Sequence, residues 1–176
     1  MNQNLNPKVI ICVSTYNGEK YIKNQIESLL KQDYKNTEIY VRDDGSKDNT
    51  LEILKQYEKD QKIKLIVGKN VGVVRSFYEC LEKAYSNGDY FAYCDQDDFW
   101  HANKITRAVN MLKNEKNDKP LLYFSEFNYC DEQLNFLNKS KLNRRGADFK
   151  NCIYVNDVKQ ILSNSMIEFV SYLCFF

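Results

Sequence analysis

The sequence predicts an α/β fold with a mostly parallel central sheet flanked by helices, and three observations carry that reading. Apolar runs of strand length alternate with segments whose apolar residues recur at helical spacing. The runs at 8–14 and 90–94 are nearly continuous, as strands covered on both faces are. Three runs break off into polar stretches, Thr15-Tyr16-Asn17-Gly18, Asp43-Asp44-Gly45-Ser46 and Asp95-Gln96-Asp97-Asp98. Right-handed crossovers gather such stretches along one edge of a parallel sheet, where open α/β sheets bind ligands.

In chain order, residues 8–14 form the first strand, and Asn17 and Gly18 turn the chain into a helix with Ile22, Ile26, Leu29 and Leu30 on one face. The second strand is 38–42. Beyond it Ser46 or Asp48 is placed to cap a helix whose face is Leu51, Leu54 and Tyr57. The acidic pair there, taken by itself, is best read as a capped turn. Residues 63–67 read as a third strand, followed by the loop Gly68-Lys69-Asn70-Val71-Gly72 and a helix with Val74, Phe77, Tyr78 and Leu81 on one side. Arg75 lies in the first turn of that helix. A helix N-terminus beside an arginine is a ready anion site, although such an arginine is more often simply solvated. The run 90–94 is the fourth strand, and Ile105, Ala108, Val109 and Leu112 mark the next helix.

Residues 121–125 give a fifth strand, and 131–135 a turn that joins hairpin strands. The stretch 138–150, with Lys139, Lys141, Arg144, Arg145 and Lys150, reads as a basic surface loop whose charge solvation explains better than a phosphate or an acidic membrane. Residues 156–162 read as a short helix.

A length of 176 residues, 43% hydrophobic and 28% charged, suits one globular domain. A formal net charge of +1 supplies no global field for nucleic acid, so none is expected as a partner. Six scattered cysteines show no Cys-x-x-Cys spacing, which argues against a zinc cage or a disulfide framework and for buried thiols in a reducing cytoplasm. The polar N-terminus has no signal-peptide core, and no run approaches the roughly 20 apolar residues of a spanning helix.

The run Tyr90-Phe91-Ala92-Tyr93-Cys94 leads straight into three carboxylates within four positions. Like charges so close raise one another's pKa, and a cation or polar ligand relieves the cost. A hard ion such as Mg²⁺ or Mn²⁺ takes carboxylate oxygens and keeps positions open for phosphate, so a metal–diphosphate site is the leading idea. An isolated Asp-x-Asp is more often a solvated turn.

Four stretches in this order, 14–18, 42–46, 70–73 and 95–100, resemble the pattern of glycosyltransferase family 2 on a GT-A nucleotide-diphospho-sugar transferase fold. The resemblance covers about Lys8 to Asp131. Its Ser-Thr-Tyr-Asn-Gly opening and Asp-Gln-Asp-Asp-Phe-Trp form are most similar to bacterial rhamnosyltransferases of surface polysaccharide synthesis. It implies that Ser14, Thr15 and Tyr16 hold a pyrimidine base, that Asp44 with Asp43 pairs with base or ribose, and that Asp97 and Asp98 face ribose and a divalent metal, Mg²⁺ or Mn²⁺. Arg75 joins them as a candidate donor contact. The implied partners are a dTDP- or UDP-linked sugar and a glycan or lipid-linked acceptor. Trp100 is as well explained by core packing as by a sugar pocket, and His101 reads as a surface residue.

The implied organisation is a disordered N-terminus (1–7), a nucleotide-sugar-binding core (8–135), and a loop, short helix and incomplete acceptor-side segment (136–176). An inverting transferase needs a general base for the acceptor hydroxyl. The family's base lies in a later acidic motif that the sequence up to Phe176 does not contain, and no motif surrounds Glu168, so the catalytic base is unassigned. The ending is expected to be a truncation, a frameshifted end or a natural short form. A donor-binding module without transferase activity of its own is the alternative to an enzyme. The apolar tail 169–176 would suit a homodimer contact, a peripheral contact with the inner face of the cell membrane, or aggregation equally.

Overall fold

The computed structural model describes residues 6–113, 121–125, 128–131, 133–139, 152–154 and 172–175. β1 (Val9–Thr15) leads to α1 (Ile22–Leu30), β2 (Thr37–Asp43), α2 (Thr50–Lys59), β3 (Lys64–Val67) and α3 (Val73–Ala84). A single 3₁₀ turn (Tyr85–Asn87) precedes β4 (Tyr90–Asp95) and α4 (Lys104–Leu112). β5 (Leu121–Phe124), the hairpin β6 (Asn128–Cys130) and β7 (Phe136–Lys139), β8 (Cys152–Tyr154) and β9 (Tyr172–Phe175) follow.

The main sheet runs β3-β2-β1-β4-β9-β5-β8 among the described residues. Its first four strands are parallel and the rest join antiparallel. β1 is buried along its whole length, with side chains alternating between two cores. Val9, Ile11 and Val13 pack with Ile22, Ile26 and Leu29 of α1, Leu54 of α2, and Ile105, Val109 and Leu112 of α4. Ile10 and Cys12 pack on the other face with Tyr40, Phe91, and Cys80, Leu81 and Ala84 of α3. Cover on both faces is the reason β1 shows no polar alternation.

Three expectations are corrected. The inward face of α3 is Ser76, Cys80, Leu81 and Ala84, whereas Val74 and Tyr78 stand exposed. The helix is rotated because Ser76 and Glu79 hydrogen-bond the buried Arg42, and Cys80 packs behind them. Residues 172–175 are not a free apolar tail. They form β9, hydrogen-bonded to β4 on one side and β5 on the other, so neither edge of that strand is open for pairing. Asn138 and Lys139 belong to β7 rather than to a loop. The remainder of that basic stretch and the helix at 156–162 lie outside the described residues.

Candidate functional site

Sheet register builds the site. Thr15 pairs with Asp43 across β1 and β2, and Ser14 with Asp95 across β1 and β4, so three strands end level with one another. Asp44 N–H donates to the Thr15 carbonyl at 2.8 Å and Gly68 N–H to the Asp43 carbonyl at 3.0 Å, carrying the alignment into the loops. The sequence-predicted residues at 14–16, 43–44 and 95–98 therefore meet along one edge.

The first loop is held by its neighbours. Gln96 Oε1 accepts from Thr15 Oγ1 (2.7 Å) and from Tyr16 N–H (2.9 Å), pinning the acidic turn to the end of β1. Gly18 sits against the same amide, and a Cβ there would collide with Gln96 and the Thr15 hydroxyl. Asn17 turns the chain in the left-handed region (φ 50°). Its N–H donates to Ser46 Oγ and its Oδ1 accepts from Lys47 N–H, which joins this loop to the one after β2. Asp48, not Ser46, serves the start of α2, taking the N–H of Thr50 at 3.0 Å. Ser14 Oγ donates to Ser76 Oγ at 2.6 Å. Ser14 and Thr15 thus spend their hydroxyls inside the protein, and Tyr16, 41% exposed, is the member of that trio that faces outward.

The two aspartates after β2 have different environments. The Asp44 carboxylate is ion-paired with Arg42 and accepts Val71 N–H (2.9 Å) and Gly72 N–H (3.0 Å). These two N–H groups belong to Gly72, the N-cap of α3, and the residue before it, so Asp44 anchors the backbone that leads into the helix. Asp43 Oδ1 accepts the N–H groups of Gly45 and Ser46. Its Oδ2 is buried with no hydrogen-bond partner among the described residues. A carboxylate only 1% exposed with one oxygen unsatisfied is the feature of this edge that most needs a ligand.

Arg42, a residue the sequence reading passed over, is 1% exposed. Besides Asp44 it donates to Glu79 Oε2 through Nη2 (2.6 Å) and Nε (3.0 Å), to Ser76 Oγ (3.1 Å) and to the Lys69 carbonyl (3.3 Å). Burial works against its charge, but the hydrogen bonds of Asp44 and Glu79 more than offset this and raise its pKa. An arginine that directly follows the apolar run Ile39-Tyr40-Val41 and precedes two aspartates was the available signal. Arg75 pairs with Glu79 Oε1 at 3.0 Å, and its guanidinium lies 5.3 Å from the Tyr78 ring centre. With Val71, Gly72, Val73, Val74 and Tyr78 it lines an open cleft of about 450 Å³.

At the end of β4, Asp95 is partly buried, and its carboxyl is pushed up to about 6, first by burial and then by Asp98 and Asp97. The same burial, followed by Asp98 and Asp95, drives the Cys94 thiol well above its ordinary range, leaving an unreactive thiol. Behind the turn Lys104 reaches Ser125 Oγ at 3.1 Å and lies 5.0 Å from the Trp100 ring centre. Burial pushes its ammonium down, and Asp98 and Cys94 pull it back up. Trp100, 3% exposed, belongs to the core, and His101 is exposed. Among the described residues no three acidic, histidine or cysteine side chains converge into a closed metal cage. Carboxylates under mutual repulsion are hard oxygen donors of the type that a divalent cation accepts.

Comparisons with known proteins agree with this architecture. The family model Glycosyl transferase family 2 matches residues 10–162. The chain is 37% identical over 131 residues to the putative glycosyltransferase EpsE of Bacillus subtilis, covering 70% of this chain and 46% of that protein. It is 34% identical over 105 residues to the dTDP-rhamnosyl transferase RfbG of Shigella flexneri, covering 57% and 36%. The crystal structure of Staphylococcus aureus TarS 1-349 in complex with UDP-GlcNAc superposes with a TM-score of 0.54 at 32% identity, over 61% of this chain and 31% of that one. A mannosyltransferase of Pyrobaculum calidifontis, solved with GDP-Man and Mn²⁺, shares the fold with a TM-score of 0.57 at 22% identity, over 67% and 35%. The chain spans less than half the length of each of these relatives.

Proposed function

The chain belongs to glycosyltransferase family 2, and on that premise we propose that it forms the donor-binding part of a metal-dependent, inverting glycosyltransferase. The enzyme moves a sugar from a nucleoside diphosphate to a hydroxyl of a glycan or lipid-linked acceptor in bacterial polysaccharide synthesis. Similarity to a dTDP-rhamnosyl transferase supports dTDP-rhamnose as the donor, and a neighbour solved with UDP-GlcNAc supports a pyrimidine nucleotide more broadly. Cys12, Cys80, Cys94 and Cys130, in no disulfide among the described residues, suit work in the cytoplasm.

The unsatisfied Oδ2 of Asp43 carries the proposal. A buried carboxylate oxygen at the sheet edge accepts a hydrogen bond from the imide N–H of a pyrimidine or from a ribose hydroxyl, and Tyr16, which follows the Thr15 paired with Asp43, offers an exposed ring as a stacking surface. Asp44 acts indirectly, by holding the Val71–Gly72 backbone that borders the Arg75 cleft. Arg75 offers its guanidinium to the diphosphate from the cleft. Asp97 and Asp98 hold Mg²⁺ or Mn²⁺, whose chemistry is to neutralise charge on the departing nucleoside diphosphate. Gln96 keeps that turn against the end of β1, so that base-binding and acidic loops stay in register.

Calorimetry with dTDP, UDP and dTDP-rhamnose, each with Mg²⁺, Mn²⁺ or EDTA, tests this on the whole chain. Metal-dependent binding is expected. Asp97→Ala is expected to abolish the metal dependence, and Asp43→Asn to weaken binding about tenfold, the scale of one hydrogen bond to a charged group. A folded chain that binds none of them, or an Asp43→Asn variant that binds as well as the parent, refutes the assignment.

A further inference from the structure

The carboxylate of Glu79 is divided between two arginines of opposite character. Its Oε2 takes the buried Arg42 through Nη2 and Nε, and its Oε1 takes Nε of Arg75, whose side chain is 59% exposed. Arg42 is held on several sides, because Asp44, Ser76 and the Lys69 carbonyl also bind it. Among the described residues Arg75 is held by this ion pair and the Tyr78 ring, and it borders the open cleft.

We propose that Glu79 competes with the anionic part of the donor for Arg75 and so sets its affinity. It holds Arg75 in reserve on the surface of α3, and an arriving diphosphate draws Arg75 away while Arg42 keeps Glu79 neutralised. The inference rests on the donor-site reading above.

Three physical points support the exchange. An exposed pair at this helical spacing is weak, so releasing Arg75 lowers apparent affinity only about two- to threefold. A diphosphate presents more negative charge and a bidentate oxygen pair, which a guanidinium prefers to a single carboxylate oxygen. Losing Arg75 would strand Glu79 if it had no other partner, but the two-pronged contact from Arg42 remains. Glu79 therefore tunes phosphate affinity without touching the nucleoside.

The test compares the whole chain with Glu79→Gln, Arg75→Gln and the double variant. Calorimetry with Mn²⁺ reads UDP and dTDP, and displacement reads uridine and thymidine. Glu79→Gln keeps an acceptor for Arg42 and leaves Arg42 and Asp44 as a balanced pair, so folding is expected to survive. It should raise diphosphate affinity about two- to threefold and leave nucleoside affinity unchanged. Glu79→Asp, which keeps the charge on Arg42 but shortens the reach to Arg75, should shift affinity in the same direction. In the Arg75→Gln background the gain should vanish. A gain of the same size in that background, a parallel change for nucleosides, or no gain at all overturns the role of Glu79. A folded parent chain that binds no nucleotide overturns the donor-site reading, and this inference with it.

Discussion

Replacing Asp95 by Asn removes a charge that the fold disfavours. Burial and then the neighbouring Asp98 and Asp97 carry its carboxyl from an ordinary 3.8 to about 6. The folded state thus holds this proton more tightly than the unfolded state does. Its contribution to stability is therefore unpenalised at low pH, declines as pH rises from the ordinary value towards 6, and carries the full penalty above that. Roughly two pKa units at about 1.4 kcal/mol each set the penalty near 3 kcal/mol, an upper bound because water at the open turn screens the charges. Asp95→Asn is uncharged at every pH, so it should exceed the parent chain by about 1–3 kcal/mol at pH 7.5, by about half that at pH 5, and by little below about pH 4. Urea unfolding followed by circular dichroism, in EDTA at those three pH values, reads the difference. A gap of constant size across pH, or a less stable variant at pH 7.5, refutes the account of repulsion at this turn. The same variant should lose metal-dependent nucleotide affinity, since a less negative turn attracts a divalent ion less strongly.

Two further substitutions test the support beneath the site. Arg42→Met leaves Asp44 buried without its cation and should cost about 3–5 kcal/mol in urea unfolding. Arg42→Lys should lose less, although one ammonium cannot serve Asp44, Glu79, Ser76 and the Lys69 carbonyl together. Gly68→Ala drives a methyl into the Arg42 guanidinium and should cost about 1–3 kcal/mol, read by the same assay. A neutral Gly68→Ala would show that Arg42 is free to move aside.

The strands and helices of the first two thirds were legible because their signals are local. The apolar run that became β1 has no alternation and is covered on both sides. The Ile22, Ile26 and Leu29 stripe of α1 points where its periodicity says. The acidic stretches at 43–44 and 95–98 were legible as a shared edge for the same reason, since parallel strands of similar length end together. The inward face of α3 was not. Periodicity favoured Val74 and Tyr78, and the polar bonds of Ser76 and Glu79 to a buried arginine outweighed it. Such a partner is more than thirty positions away in the chain, so no window of helical length contains it.

By itself the sequence determined the parallel half of the sheet, the edge where its strands end and the residue types gathered there. Those follow from spacing and side-chain chemistry within short stretches. Only the tertiary structure decided how the work is divided among them. Asp43 and Asp44 are adjacent and chemically identical, yet Asp44 is used up by Arg42 and two backbone N–H groups while Asp43 keeps an oxygen free. Ser14 and Thr15 turn to internal partners and Tyr16 outward. The placement of β9 between β4 and β5 is of the same kind. Each depends on which distant donor or strand edge arrives to satisfy a buried polar group, and that is a property of the assembled chain.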